Sequence, residues 1–600
     1  RHHASRAHSQ NVSRFLGLSV GPRGLPTDGA PPKEIFLQAW RAASTGRTRM
    51  DSITNNRKTT SMLHDCIYKA LRESDRKFLG KATTMSIKRD ESKGMVIIRA
   101  QAATADLEVR SFILGLRQYT VGSDAIDITE VTAELLDAYA GEDAQLKQHM
   151  RNIIEAVCVD AAGAETKSAR LMQTFPPNRP VAPNLKAVIR DRAHASRRLM
   201  TRPWQADEKI SAVLHELISE HNSIVQRIHH SSLFGGWYKT AVQSMAHLLE
   251  VSTTQLGAAK HRFESWQRPM VQFILTLPAI VQVAQKIAIM RHGKEEARDA
   301  TSFLEGLTEE KVLLLAMLAD AADECLVVTR VFDQEDAEIS SQASVLRHFQ
   351  DRLHALFTKG QVFHLESFTA TACKNLQVPL YIRVRGRELR QLGGEGKVTE
   401  RMRLDVLQHL RDWVALCDMV IKTEFPCFDV VHSFSVFDAA ADRCKAAMNE
   451  EVQGCLHHLA LQFNVSVDEL RRQYASTLPI AQAVRRKTNC TVMQAWREAS
   501  RRGRHDYNAL SIVLQRVAGW GISSSNVNQG FVAARSNLQV RTKETQETVL
   551  RDLALALTMP ITDETGMMNA IIGRAQEIWC KHNVKVDVGA LRGPHAGLCF

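Results

Sequence analysis

The chain has 600 residues, 44% of them hydrophobic and 24% charged, a composition ordinary for globular domains and a length that calls for two or three separate cores. Its 77 Lys and Arg outnumber 65 Asp and Glu, for a net charge of +12, which favours acidic partners, nucleic acid first among them, and does not bear on fold. Eleven cysteines stand singly with no C-x-x-C anywhere, the usage of a reduced intracellular protein, and this removes any strong zinc-finger signal.

Residues 1–33 carry Gly, Pro, Ser and basic side chains without apolar period and read as a flexible arm. Two helices are expected between Pro32 and Gly80, the second with Leu63, Cys66, Ile67, Ala70 and Leu71 at helical spacing. Three β-rich runs follow with short connections: Thr83 to Asp90, Met95 to Ile98, and Val109 to Leu116. They predict an antiparallel meander. A helix with Ile128, Val131, Leu135 and Tyr139 on one face comes next, then a short apolar strand, Ala156 to Val159, ending at Asp160. Leu185 to Ile189 is a candidate further strand. From about Gln205 to Lys487 the period is helical almost throughout, broken by a β-like piece at Tyr381 to Arg385. The longest apolar run, Met270 to Met290, is interrupted by Gln272, Pro278, Gln282, Gln285 and Lys286 and reads as a pair of core helices rather than a membrane span. Four closing helices are expected between Asn508 and His582. No signal-peptide pattern is visible, and since the chain begins at Arg1 without Met, an upstream segment is left open.

Two residues stand where chemistry is often placed. Asp90 and Asp160 each end a predicted strand, and carboxylates on neighbouring strands, joined by a third acid on a helix, can hold a pair of Mg²⁺ ions for phosphodiester cleavage. Strand-end aspartates also cap turns and helices, and by spacing alone that role is the commoner one. Around His194 the chain is strongly basic, with Arg190, Arg192, Arg197, Arg198 and Arg202 and with Trp204 close by. Such a run suits phosphate contact and base stacking, or equally a solvated helix face with Trp204 as a core anchor. A second basic cluster, Arg383, Arg385, Arg387 and Arg390, has the pattern of a hairpin's outer face. The histidine pairs 229–230 and 457–458 lack metal-ligand spacing.

Taken in order, these pieces resemble the hAT transposase superfamily. Ile87-Lys88-Arg89-Asp90-Glu91-Ser92 is similar to its first acidic motif, a strand ending in D-E-S. Val157-Cys158-Val159-Asp160-Ala161-Ala162 is similar to the second. Asp191-Arg192-Ala193-His194 keeps the His of the family's C-x-x-H and has Asp for Cys; Arg262-Phe263-Glu264-Ser265 resembles R-W-x-S with Phe for Trp. Ser523 to Phe531 resembles the closing signature S-S-x-x-V-E-R-x-F, with Asn528 for the Glu and Gln529 for the Arg. The BED-type zinc finger that precedes the core in the family is not seen.

The resemblance implies an α/β plus α fold, an RNase H-like mixed sheet interrupted by a large all-helical insertion. It implies five segments: a flexible arm over 1–33, a helical segment over 34–80, the first part of the core over 81–205, the insertion over 206–500, and core completion with a dimerisation region over 501–600. Asp90 and Asp160 become the expected catalytic metal ligands, for Mg²⁺ if the protein is active, with Asn528 at the third position and Glu91 or Glu165 as substitute acids. His194, Arg190, Arg192, Arg197, Arg198, Arg202 and Arg262 become the expected DNA contacts. The function expected is that of a transposase-derived DNA-binding protein, homo-oligomeric, nuclear or otherwise intracellular and without a membrane partner, whose cleavage activity is lost or nearly so. An active metal-dependent transposase and a non-catalytic interaction scaffold are the alternatives.

Overall fold

In the computed structural model of the chain, the described residues are 57–91, 95–118, 124–160, 162–247, 249, 256, 266–332, 339–425, 428–439, 449–502, 508–521, 548–551, 554–555 and 567–583. Two compact units emerge: unit 1 is Arg1–Asp191, Glu338–Ser340 and Asp429–Phe600, and unit 2 is Arg192–Ala337 and Ser341–Phe428. The first passage through unit 1 carries α1 (Arg57–Leu79), β1 (Ala82–Glu91), β2 (Met95–Thr104), β3 (Val109–Gln118), α2 (Ala125–Ala140), α3 (Ala144–Ile153), β4 (Ile154–Val159), α4 (Gly163–Leu171) and β5 (Ala187–Arg190). Unit 2 includes α5 (Arg192–Ala206), α6 (Gln267–Leu275), α7 (Leu277–Met290), α8 (Glu309–Phe332), α9 (Phe368–Asn375), β6 (Leu380–Val384), β7 (Arg387–Leu392) and α10 (Glu400–Glu424), among further helices. The return passage holds α11 (Glu450–Phe463), α12 (Val467–Thr488), α13 (Val492–Arg502), α14 (Asn508–Gly519) and α15 (Met567–Asn583). The protein is thus mostly helical with a small mixed sheet.

The predicted strands form one five-stranded sheet in the order β3-β2-β1-β4-β5. β1, β2 and β3 pair antiparallel, whereas β4 lies parallel to both β1 and β5. Each residue of β4 is buried, and so is nearly all of β2. Strands covered on both faces read as continuous apolar runs such as Met95 to Ile98, because neither set of alternating side chains meets water. One face packs on α2, α3 and α4 through Ile87, Val96, Phe112, Leu136, Tyr139 and Met150. Asp124 caps α2 with a reciprocal bond to Asp127, and Gly141 closes it at φ 75°, a conformation that favours glycine.

The other face takes α14. Gln101 Nε2 donates to the Ala518 carbonyl (2.8 Å), Thr83 Oγ1 donates to Gln515 Oε1 (2.7 Å), and the Gly521 amide donates to Ser86 Oγ (2.9 Å). An aromatic cluster of Phe434, Phe437, Phe463, Tyr474, Trp496 and Trp520 binds α11, α12 and α13 to this layer. The Trp496 indole donates to the Phe437 carbonyl at 2.7 Å. Here the organisation differs from the sequence expectation. The return to the sheet unit falls at Asp429, not at 501, because these aromatics commit 429–502 to unit 1. The departure falls at Arg192, not at 206, because α5 packs on α8 and α10.

α1 packs against α15, with Cys66, Ile67, Ala70 and Leu71 facing Ile571, Ile572, Ala575 and Ile578. Arg574 Nε donates to Glu73 at 2.7 Å across the same pair. This apolar face of α15, in the segment expected to dimerise, is therefore covered from within the chain. In unit 2, α8 is buried over most of its circumference and acts as the central helix. Its Asp320 accepts from the Phe368 and Thr369 amides, both at 2.9 Å, and so caps α9 from outside. Among the described residues no single helix is long and apolar enough to cross a membrane; α6 and α7, bent by 82°, meet that test only as a pair.

α1 is also tied to α2 by charge. Asp75, 5% exposed, accepts from the Tyr139 hydroxyl at 3.1 Å, with Arg110 at 4.0 Å. Burial pushes its carboxyl up to about 6, against the pull of Tyr139, Arg110 and Arg72. An unfolded Asp titrates near ~3.9, so the native state binds more protons between these values. Stability from this group therefore falls as pH rises from about 4 to about 6 and stays lower above. Asp75→Asn keeps an acceptor without the charge. We expect the variant to exceed the parent by about 1–3 kcal/mol in urea denaturation at pH 7.5 and to match it near pH 4; equal stability at both pH values would refute the assignment.

Candidate functional site

The candidate site is the carboxyl edge of the parallel strands. β1 pairs with β4 in a register that ends on Lys88 opposite Cys158. Two residues further along both chains, the backbone of Asp90 comes level with that of Asp160. Asp90 is the penultimate residue of β1, opposite Ile97 of β2, and Asp160 follows β4 directly and is half-buried. On the far side of β4 the register ends on Val159 opposite Arg190, and the Asp191 amide donates to the Val159 carbonyl at 2.9 Å. Asp191, 1% exposed, thus stands level with Asp160 on the third strand and directly precedes α5. Sequence reading placed Asp191 in a motif and assigned it no role; its level on the sheet emerges only from pairing. The Asp90 side chain, Arg262 and Asn528 lie outside the described residues.

Two charged networks brace β4, one at this edge and one at its amino end. On the α2/α4 face, the fully buried Arg89 guanidinium donates from Nε to Glu165 Oε2 at 2.7 Å, from Nη1 to Thr132 Oγ1 at 3.0 Å and from Nη2 to the Glu165 carbonyl at 3.2 Å. On the α14 face, Glu155 accepts two bonds of 2.9 Å from Arg516, one of 2.8 Å from Thr84, and faces Lys186 at 3.0 Å. Burial alone would raise the Glu155 carboxyl, but Arg516 and Lys186 outweigh it and hold the group below its ordinary value. Lys88 is 7% exposed and passes so close to Gly521 that a Cβ there would stand 1.8 Å from its Cε. A side chain at 521 would require the Lys88 arm to move aside.

These contacts decide what the edge can hold. Glu165, the substitute acid expected from sequence, is engaged by Arg89 and is committed to the core. Lys88, two residues before Asp90 on β1, is buried beside Gly521. Among the described residues no group of three His, Cys, Asp or Glu side chains converges to hold a metal ion. With Glu165 engaged by Arg89, the acids that stand level along this edge are Asp90, Asp160 and Asp191.

The basic run after β5 behaves differently from a phosphate-contacting stripe. Arg192 is fully buried with its guanidinium 4.7 Å from the centre of the Phe425 ring. Arg198 Nη1 pairs with Glu424 Oε2 at 2.8 Å, and Arg202 pairs with the other oxygen of the same carboxylate, which is itself fully buried. Trp204 is 1% exposed and is a core anchor. Ser196 Oγ donates to Thr329 Oγ1 at 3.1 Å, and the Cys417 thiol donates to the Leu199 carbonyl at 3.2 Å. α5 is therefore riveted to α8 and α10 through the buried Arg192 and the half-buried Arg198, whereas Arg202 pairs with Glu424 from an exposed position. Arg190, His194 and Arg197 are half-buried. Neither Glu424 nor Phe425 carried a signal in the sequence, since each is 220 residues or more from the arginines it receives.

No protein-family model matches the chain, and no curated protein matches it.

The Arg89–Glu165 pair yields a direct test. Removing one partner strands the other charge in a dry core, so Arg89→Ala and Glu165→Ala are each expected to cost about 3–5 kcal/mol. The double replacement Arg89→Met/Glu165→Leu should cost less than either, since no charge is stranded. Equilibrium denaturation of the three variants measures this. A double variant as unstable as the sum of the singles would show that the pair is not coupled.

Proposed function

We propose that this protein is a transposase-derived DNA-binding protein built on an RNase H-like core, in which strand cleavage is lost or nearly lost. The observation that carries the reading is the level placement of Asp90 and Asp160 on adjacent parallel strands, in a sheet ordered β3-β2-β1-β4-β5. That placement is what paired acidic motifs on the first and fourth strands require. The departure of the chain into a helical unit directly after β5 supports it further. So does the path at Gly521, where the chain runs beside Lys88 and Ser86 only seven residues before Asn528. The excess of cations, +12 over the chain, favours a polyanionic partner.

Loss of cleavage rests on charge. In this reading Asp90 and Asp160 are the two acidic-motif residues of the edge, an amide at Asn528 replaces the third acid, and Glu165 is withheld by Arg89. A neutral amide oxygen is a weaker ligand for a hard cation than a carboxylate and neutralises none of its charge.

Fluorescence anisotropy with a 30-base-pair duplex and a nicking assay with Mg²⁺ or Mn²⁺ test both halves. Expected are binding that weakens log-linearly with salt and no metal-dependent nicking. Absence of salt-sensitive DNA binding would favour the scaffold alternative. Nicking that disappears in both Asp90→Ala and Asp160→Ala would establish an active transposase instead.

A further inference from the structure

With Arg192 buried and Arg198 paired to the buried Glu424, a second cationic feature of unit 2 among the described residues is the β6–β7 hairpin. It carries four arginines, Arg383, Arg385, Arg387 and Arg390, against one glutamate, Glu388. The base is firmly seated. Ile382 and Leu392 are fully buried. Arg390 Nη2 pairs with Glu309 of α8 at 3.1 Å, and the Gly393 amide donates to the same carboxylate at 3.0 Å. Gln285 of α7 bonds the Tyr381 carbonyl and the Arg383 amide, both at 3.4 Å. Arg390 is thus an anchor, and the other three arginines project from a fixed support.

Their surroundings are open to solvent. Alternation along β6 turns Ile382 inward and leaves Tyr381 46% exposed and the Arg383 side chain 61% exposed on the outer face. The Arg383 guanidinium lies 5.5 Å from the centre of the Tyr381 ring, and its contact with Glu388, 3.4 Å between exposed groups, is of the weak surface kind. Arg385 and Arg387 are exposed. The turn provides an independent observation. Arg385 and Gly386 have φ of 54° and 74°, the pattern of a type I′ turn, whose first central position suits Asn, Asp or Gly. An arginine held there is strained by about 1 kcal/mol or more. The strained residue is the one that puts a guanidinium at the extreme tip of the ribbon.

We infer that the β6–β7 hairpin is a contact surface for the phosphate backbone of duplex DNA, with Arg383, Arg385 and Arg387 as the phosphate-binding residues. A two-stranded ribbon fits the major groove, about 12 Å wide, and arginine at the strand edges and tip can bond the flanking phosphates in a bidentate manner. An acidic protein segment is the competing partner. It is less favoured, because the guanidiniums line the edges and tip of a narrow ribbon instead of forming a broad patch. The inference rests on the DNA-binding reading above and says where part of that binding occurs.

The test uses the full chain and a 30-base-pair duplex between 50 and 300 mM salt. Each lost phosphate contact lowers the salt slope by about 0.9. Arg383→Ala/Arg385→Ala/Arg387→Ala is therefore expected to lower the slope by about 2 to 3 and affinity at 0.1 M salt by roughly 100- to 500-fold. Arg385→Asn relieves the turn, so its melting temperature should equal or exceed the parent's while its DNA affinity falls by roughly 5- to 10-fold. If the parent binds DNA and the triple variant keeps its slope, the hairpin assignment falls and the DNA-binding reading stands. If the parent binds no DNA, both fall. Tighter hairpin-dependent binding to poly-glutamate than to the duplex would overturn the assignment in favour of an acidic protein partner.

Discussion

Parallel pairing of β1 with β4 is the constraint on which unit 1 depends, and buried charge secures it on both faces. Arg89 immediately precedes Asp90, and Glu165 lies five residues beyond Asp160, so their ion pair ties together the two chain segments that bear the aspartates. On the opposite face Glu155 at the start of β4 binds Arg516, more than 350 residues away, and thereby draws the return passage onto the sheet. Carboxylates removed from water need compensating donors; both oxygens of Glu155 are bonded by Arg516, and Glu165 is bonded through Oε2 by Arg89. The geometry of the edge therefore follows from desolvation as much as from strand propensity.

The same economy governs α5. One fully buried carboxylate, Glu424, receives both Arg198 and Arg202, while Arg192 lies against Phe425. A run of arginines with an aromatic close by suggests phosphate contact in a linear sequence, yet here it joins α5 to α10. The hairpin arginines meet no such buried carboxylate apart from Arg390 at the base, and Arg383 has only its exposed contact with Glu388. Exposure and partner supply, more than the density of cations along the chain, separate a candidate binding surface from an internal rivet.

Much of the sheet was legible from residues alone. The β-branched and apolar runs at 83–90, 95–98, 109–116 and 156–159 identify strands, because their period and length match a covered sheet, and the spacing of Leu63, Cys66, Ile67, Ala70 and Leu71 identifies α1. The β-like piece at 381–385 and the arginines at 383, 385, 387 and 390 also pointed to the hairpin. These are local properties, set by the dihedral preferences and side-chain periods of a few consecutive residues.

Tertiary structure decided the rest. Which strands neighbour one another is set by burial on two faces, so the level alignment of Asp90, Asp160 and Asp191 appears only once β4 lies between β1 and β5. The unit boundaries at 192 and 429 depend on where α5 and the cluster around Trp496 find apolar partners, and no local period encodes a partner hundreds of residues away. Glu165 and the α5 arginines illustrate the division most clearly. The sequence by itself determined their charge and helical spacing, but whether each faces solvent, a ligand or a buried counter-ion is an energy balance between desolvation and pairing, and that balance exists only in the folded chain.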